Sequence, residues 1–213
     1  MTTKVKICGL RNEVDIDVAL EYKVDYIGLV FFDPSPRNIS ISDGKRLARH
    51  VAKHAKVVAL VVDAQNDFIM RISDEIQPDI YQLHGSENVE RIEQISKLTS
   101  CQTIKVIKVA SSMDVEKAYV YENVADHILF DAKAPSNSLL PGGNGIQFDW
   151  NTLEKIRPNV DFMLSGGLTP DNVQLAIHST GAKVVDTSSG VEVSPGRKDP
   201  ILIRAFIQAA KSL

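Results

Sequence analysis

Residues 57–62 of this 213-residue chain are VVALVV, a short run that is apolar at every position. A strand with one face in water alternates apolar and polar residues, whereas a strand covered on both faces does not. The run therefore predicts a buried strand in a parallel sheet with helices on both sides. Which parallel fold it belongs to depends on how many such strands the chain contains.

Eight short β-rich runs recur along the chain, and stretches with helical spacing, several of them opened by Ser, Asp or Thr at a plausible N-cap, lie between them. An open flavodoxin-like sheet needs only about five strands, so some of the eight predicted strands would have no place in it. We therefore predict an α/β fold, a single closed (β/α)8 barrel domain over residues 1–213. The predicted strands are residues 5–8, 26–31, 57–62, 80–83, 103–109, 127–131, 162–166 and 183–187, and helical stretches include 14–23, 41–54, 87–98, 113–124, 169–178 and 199–211.

Composition limits the classes of partner. The 24 basic and 27 acidic side chains give a net charge of -3 without a long run of either sign, so we predict no nucleic-acid partner and no anionic membrane partner. No apolar run approaches the roughly 20 residues of a membrane span. The two cysteines, Cys8 and Cys101, form no metal-type spacing, and no secretory segment opens the chain, which predicts a reduced, cytoplasmic protein.

In a (β/α)8 barrel, functional side chains collect where the strands end and the βα loops begin. The predicted strand ends carry mostly polar and glycine residues, which would form a ring at one mouth of the barrel. This placement favours a functional role for Cys8 over that of a small buried apolar residue. The ring comprises Cys8 with Gly9, residues 32–38, Asp63, residues 82–85, Lys108, Asp131, residues 165–167 and residues 186–190.

The loops after the seventh and eighth strands predict a phosphate site. The stretches LSGGLTPDNV (164–173) and DTSSGVEVSPGRKDP (186–200) are both glycine-containing, and glycines let backbone N–H groups approach an anion closely. A phosphosugar is thus the expected class of substrate. In the second loop, Pro34 and Pro36 stiffen the chain around Arg37, whose guanidinium suits a carboxylate at the other end of the substrate. A solvated surface arginine is the alternative.

Seven motifs, in order from residue 4 to about residue 210, resemble those of the N-(5'-phosphoribosyl)anthranilate isomerase family of tryptophan biosynthesis. They are KICGL (6–10), SPRNIS (35–40), QLHG (82–85), LFDA (129–132), GGNGIQFDW (142–150), LSGGLTPDNV (164–173) and SSGVEVSPGRKD (188–199). The resemblance implies a (β/α)8 barrel that catalyses an Amadori rearrangement of phosphoribosylanthranilate without metal or cofactor. One departure is Asn144, where relatives usually have threonine.

The resemblance also implies roles for individual residues. Cys8 matches the general base and Asp131 the general acid, while Arg37 matches the residue that meets the anthranilate carboxylate. His84 and Asp186 are further candidates for substrate contact, with a structural histidine and a polar filling residue as the alternatives. The phosphate contacts implied by the resemblance are Gly166, Gly167, Ser189 and Gly190.

Several points stay open at this stage. A free thiol titrates near pH 8.5, so Cys8 needs nearby positive charge, and Lys6 on the same strand face is one candidate. Cys8, His84 and Asp131 could instead be three metal ligands. Cys101 and Trp150 are expected to be structural.

Two other functions compete with the isomerase. One is another phosphosugar isomerase or epimerase barrel, and the second is a barrel that binds a phosphosugar without catalysis, although binding alone would need neither Cys8 nor Asp131. A monomer and a homodimer are both compatible with the sequence. Residues 133–145 are long for a βα loop, which favours a mobile lid over the mouth.

Overall fold

The computed structural model describes residues 2–134, 142, 143, 145, 147–155 and 161–212. Within this part of the chain, eight parallel strands follow one another in chain order, and the first pairs with the eighth to close a barrel. The predicted (β/α)8 barrel is therefore confirmed. The strands are β1 (Lys4–Cys8), β2 (Tyr26–Val30), β3 (Lys56–Val61), β4 (Ile80–Leu83), β5 (Gln102–Val109), β6 (His127–Ala132), β7 (Phe162–Leu164) and β8 (Val184–Thr187).

Helices connect the strands and cover the outside of the barrel. They are α1 (Glu13–Glu21), α2 (Ile41–Val51), α3 (Asn66–Ile76), α4 (Val89–Thr99), α5 (Ser112–Glu116), α6 (Val173–Thr180) and α7 (Pro200–Lys211). Short 3-10 helices occupy Lys117–Val120, Trp150–Lys155 and Ser189–Val191, and a hairpin of β9 (Glu192–Ser194) and β10 (Arg197–Lys198) precedes α7. None of the helices in the described ranges is long and apolar enough to cross a membrane.

The structure differs from the sequence predictions at several elements. α2 ends at Val51 rather than at residue 54, and α6 begins at Val173 rather than at residue 169. The helix predicted over 113–124 is a single α-helical turn that passes directly into a 3-10 helix. The seventh strand ends at Leu164, two residues earlier than predicted. The reason is backbone conformation, because Gly166 and Gly167 have φ values of 92° and 64°, which a strand cannot accommodate.

Alternate side chains of each strand point into the barrel or out toward the helices, so the barrel has an interior core and an outer core. The barrel interior is filled by apolar side chains, and near the carboxyl ends of the strands it becomes polar at the buried pair Lys6 and Asp186. The outer core lies between the strands and the helices. The apolar interior cluster consists of Tyr26, Val58, Ile80, Ile104, Val106, Leu129, Met163 and Val184.

The buried ion pair of Glu87 and Lys105 lies outside the barrel interior. It connects the chain after β3 and β4 with β5. Glu87 accepts hydrogen bonds from Lys105 Nζ at 2.8 Å, from the Gly85 N–H at 2.9 Å and from the Asp63 N–H at 2.9 Å. Asp63 itself is exposed, and its carboxylate accepts from the Ser86 N–H at 2.7 Å. The prediction that Asp63 faces the mouth is wrong, because the chain turns there with a φ of 46°.

We predict that Lys105→Met lowers the free energy of unfolding by about 3–5 kcal/mol, because it leaves the Glu87 carboxylate buried without its cation. The matched control is Lys45→Met, which removes the exposed partner of Glu75 and should leave stability unchanged. Urea unfolding followed by circular dichroism measures both. Equal effects of the two substitutions would contradict the importance assigned to the buried pair.

Candidate active site

A cavity that is partly open to solvent lies at the carboxyl ends of the strands, and its empty space, with the solvent at its opening included, is about 770 Å³. It is the mouth at which the sequence places the functional residues. Eight of the predicted site residues line it, namely Cys8, Arg37, His84, Asp131, Gly166, Gly167, Asp186 and Ser189. The remaining one, Gly190, is not among its lining residues.

Two glycines make room for the Cys8 thiol and for Arg37. Gly28 pairs with Cys8 in the β1–β2 register, and a Cβ atom at Gly28 would lie 2.9 Å from Cys8 Sγ. Gly9 has a φ of 79°, and a Cβ there would lie 2.7 Å from Arg37 Cδ. Real side-chain atoms do not tolerate such distances, so both positions require glycine. β1 is thus followed by glycine at residue 9 because the aliphatic part of the Arg37 side chain packs against the backbone there.

The thiol of Cys8 lies among buried charges. Lys6, which is fully buried, donates to Asp186 Oδ1 at 2.8 Å. Burial alone would lower the pKa of Lys6, but Asp186 and Cys8 outweigh it, and the pKa stands above its usual value. Burial raises the pKa of the Cys8 thiol, and the positive charges of Lys6 and Lys198 offset only part of that rise. Lys6 is the candidate cation named from the sequence, and Lys198 is a second cation that the sequence did not identify.

Asp131, on β6, forms a short polar chain with two residues at the end of β4. Its Oδ1 accepts from the Ala132 N–H at 2.9 Å, and its Oδ2 lies 3.4 Å from His84 Nε2. Gln82 Nε2 lies 3.3 Å from His84 Nδ1. Within the described residues, His84 Nε2 and Gln82 Oε1 are buried and have no hydrogen-bond partner, so both are available to a ligand in the mouth.

The loops after β7 and β8 are packed tightly against one another. Thr187 Oγ1 donates to the Leu168 carbonyl at 2.7 Å, and a Cβ at Gly190 would lie only 1.9 Å from that oxygen. Gly190 therefore has a packing role, and its contact with phosphate stays a prediction. Gly166 and Gly167 expose backbone at the cavity wall. A short 3-10 helix begins at Ser189, in the loop after β8.

Arg37 is buried, and an acidic side chain occupies one edge of its guanidinium. Nε donates to Glu192 Oε1 and Nη2 to Glu192 Oε2, each at 2.8 Å, while Nη2 also donates to the Gly143 carbonyl at 3.1 Å. Lys198 Nζ donates to Glu192 Oε1 and to the Ser188 carbonyl, each at 2.9 Å. Sequence reasoning assigned no role to Glu192 or Lys198, although both lie within the motif SSGVEVSPGRKD.

The remaining predicted residues lie outside this cluster or outside the described ranges. Trp150 packs against the outer apolar core, and the half-buried Cys101 donates from Sγ to the Pro78 carbonyl at 3.3 Å, so both are structural as predicted. Lys108 pairs with Asp131 in the β5–β6 register. Within the described ranges, no three His, Cys, Asp or Glu residues are grouped to hold a metal ion. The predicted lid falls largely on residues 135–141, which with Asn144 lie outside the described residues.

The arrangement suits proton transfer on an anionic sugar. Cys8 and Asp131 lie on β1 and β6, which are not neighbours in the barrel, so a thiol and a carboxyl group face one cavity from separate strands. Glycine-rich loops and a buried arginine supply sites for two anionic groups. Proton transfer between a bound sugar and these two side chains requires no further protein group.

Comparisons with known proteins agree on one family. The family described as N-(5'phosphoribosyl)anthranilate (PRA) isomerase matches residues 5–209. The N-(5'-phosphoribosyl)anthranilate isomerase of Sinorhizobium medicae (strain WSM419) is 46% identical over 211 residues, which cover 99% of this chain and 98% of that relative. The crystal structure of phosphoribosyl anthranilate isomerase from Thermotoga maritima superimposes with a TM-score of 0.90 at 36% identity, with 100% of both chains covered. A crystal structure of phosphoribosyl anthranilate isomerase in complex with reduced 1-(o-carboxyphenylamino)-1-deoxyribulose 5-phosphate gives a TM-score of 0.84 at 32% identity, again with 100% of both chains covered.

We predict that Cys8 ionises above the usual thiol value of about 8.5, because burial disfavours the thiolate more than Lys6 and Lys198 favour it. With a raised pKa, the thiolate is scarce at neutral pH and accumulates as the pH rises. The ultraviolet absorbance of the thiolate measures this in a Cys101→Ser background, where Cys8 is the remaining cysteine. A midpoint below about pH 8.5 would contradict the predicted direction.

Proposed function

Since the chain belongs to the N-(5'-phosphoribosyl)anthranilate isomerase family, we propose that Cys8 and Asp131 carry out the acid–base steps of its reaction. That reaction is the Amadori rearrangement of N-(5-phosphoribosyl)anthranilate to 1-(2-carboxyphenylamino)-1-deoxyribulose 5-phosphate in tryptophan biosynthesis. The observation that carries the proposal is the joint presence of the two side chains in the mouth cavity, with glycine opposite the thiol.

The substrate has an anionic group at each end, and the cavity offers a site for each. We assign the phosphate to the loops after β7 and β8, at Gly166, Gly167, Ser189 and Gly190. The anthranilate carboxylate is assigned to Arg37. This orientation stretches the sugar across the mouth between Arg37 and the glycine-rich loops, where it passes the strand ends that carry Cys8 and Asp131.

Asp131 supplies the first proton. Opening of the ribofuranose ring needs a proton on the ring oxygen while the anilinic nitrogen forms an imine with C1. Oδ1 of Asp131 accepts a backbone hydrogen bond, so Oδ2 is the oxygen that carries the proton. His84 Nε2, at 3.4 Å from Oδ2, can stabilise the carboxylate that remains after transfer.

Cys8 removes the second proton. The imine acidifies the hydrogen at sugar C2, so a thiolate is a sufficient base. Lys6 and Lys198 stabilise that thiolate through their charge. Loss of the C2 proton leaves an enolamine, which takes up a proton at C1 as C2 becomes a ketone, and the atoms of the substrate are thereby conserved.

The proposal also covers the domain organisation, the cellular location and the oligomeric state. We assign a single catalytic domain to residues 1–213, a cytoplasmic location, and a monomeric or homodimeric state. The family match over residues 5–209 supports the domain assignment. One solved relative, the phosphoribosylanthranilate isomerase of Thermotoga maritima, is described as dimeric in a study of monomers generated from it. A binding-only barrel and a different phosphosugar isomerase find no comparable support.

We predict that Cys8→Ala and Asp131→Asn each lower kcat/KM by about 10³-fold or more, because each removes one proton-transfer group. The loss of anthranilate-type fluorescence from freshly generated phosphoribosylanthranilate measures turnover. Cys101→Ala is the matched control and should keep wild-type activity. A fully active Cys8→Ala protein would remove the thiol from the mechanism, and an inert wild type that still binds a phosphosugar would favour the binding-only barrel.

A further inference from the structure

Glu192 and Lys198 form a buried charged cluster with Arg37 beside the mouth. Their side chains are 3%, 1% and 6% exposed, respectively. Glu192 is the one carboxylate of the cluster and binds both cations, with its two oxygens on Arg37 and one of them also on Lys198. With Arg37 and Lys198 both protonated, the cluster has a net charge of +1, although burial lowers the pKa of Lys198 below its usual value.

Such a cluster is costly to bury unless its geometry is good, because each charge loses its hydration. Burial raises the pKa of Glu192, but hydrogen bonds and charge from Arg37 and Lys198 outweigh it, and the pKa lies below its usual value. The carboxylate therefore stays ionised at neutral pH and holds the guanidinium at two points. A paired arginine of this kind has little rotational freedom.

The pairing leaves a defined part of the guanidinium for a ligand. Glu192 occupies Nε and Nη2, and the Gly143 carbonyl takes a further hydrogen of Nη2. Nη1 lies next to Gly143, where a Cβ atom would approach it to 2.6 Å. Because Gly143 has no side chain, no side chain of the described residues on this side fills the space beside Nη1, and both residues line the mouth cavity.

The surrounding chain fixes this arrangement from two sides. The turn of the β9–β10 hairpin packs on the loop after β2, where a Cβ at Gly196 would lie 2.4 Å from the Pro36 carbonyl oxygen. On the other side, Lys198 Nζ donates to the Ser188 carbonyl, and Ser188 Oγ donates to the Cys8 carbonyl at 3.0 Å. The cluster therefore connects the Arg37 loop with the strand that carries Cys8.

We infer that Glu192, anchored by Lys198, is a positioning residue that clamps Arg37 through Nε and Nη2 and directs Nη1 at the carboxylate of the substrate. The inference rests on the proposed function, which assigns that carboxylate to Arg37. It adds a specificity determinant, since a clamped arginine favours ligands with a carboxylate at this place over ligands without one. A competing possibility is that Glu192 occupies Arg37 and must be displaced by the substrate.

Binding of two matched ligands tests the inference. One is reduced 1-(o-carboxyphenylamino)-1-deoxyribulose 5-phosphate, and the other is its phenylamino analogue, which lacks the carboxylate but keeps the phosphate. Calorimetry gives the preference for the carboxylated ligand as a ratio of dissociation constants. In Glu192→Gln we expect this preference to fall about tenfold or more, with the phenylamino analogue bound within about twofold of wild type. Glu75→Gln, an exposed glutamate paired with a lysine, should behave as wild type.

Each other outcome has a distinct meaning. A preference that is unchanged or increased in Glu192→Gln would overturn the inference, since the glutamate would then be only structural or a competitor of the substrate. A wild type without preference would overturn the assignment of Arg37 itself, and the inference with it. If Glu192→Gln does not fold, Glu192→Asp provides the same test, because it keeps the charge but is one methylene too short to hold both arginine nitrogens. It should lose part of the preference.

Discussion

The ion pair between Lys6 and Asp186 is the interaction on which the mouth of the barrel depends. The two residues face each other in the register between the first and last strands, so they lie at the seam where the barrel closes. Buried pairs of this kind contribute little net stability compared with apolar residues of similar size. Here the pair has a chemical consequence instead, because it fixes a positive charge two residues below the Cys8 thiol and, through Ser165, orders the start of the seventh loop.

Above this pair, glycines make room for the side chains that we propose to act on the substrate. Gly28 gives space to the thiol, Gly9 to the stem of Arg37, and Gly142 to the imidazole of His84. In each case the neighbour of the glycine is a side chain that lines the mouth cavity. Close packing of this kind holds side chains in fixed positions, which is how a rigid barrel would orient the groups that we propose for catalysis.

The sequence predicts much of this fold, and the reasons are local. VVALVV and the other apolar runs mark strands because burial on both faces removes alternation, and Ser40 and Asp199 mark helix starts through their caps. The sequence predicts those site residues that lie at strand ends, because the strand ends of a barrel meet at one mouth. The unpredicted part of the site is the pairing of Arg37 with Glu192, which are 155 residues apart. No pattern in either segment indicates that the two side chains meet. Asp63, which the sequence placed at the mouth, is exposed, does not line the cavity and accepts from the Ser86 N–H instead.

The proposed mechanism requires the sugar to lie between Arg37 and the glycine-rich loops, with C2 beside the Cys8 thiol. A crystal structure of this protein with reduced 1-(o-carboxyphenylamino)-1-deoxyribulose 5-phosphate would show the position of the sugar. We expect the phosphate at Gly166, Gly167 and Ser189 and the carboxylate on Arg37 with Glu192 still in place. Cys8 Sγ should lie within about 4 Å of C2, near the distance for proton transfer. A ligand bound in the reverse orientation, or with C2 far from the thiol, would contradict it.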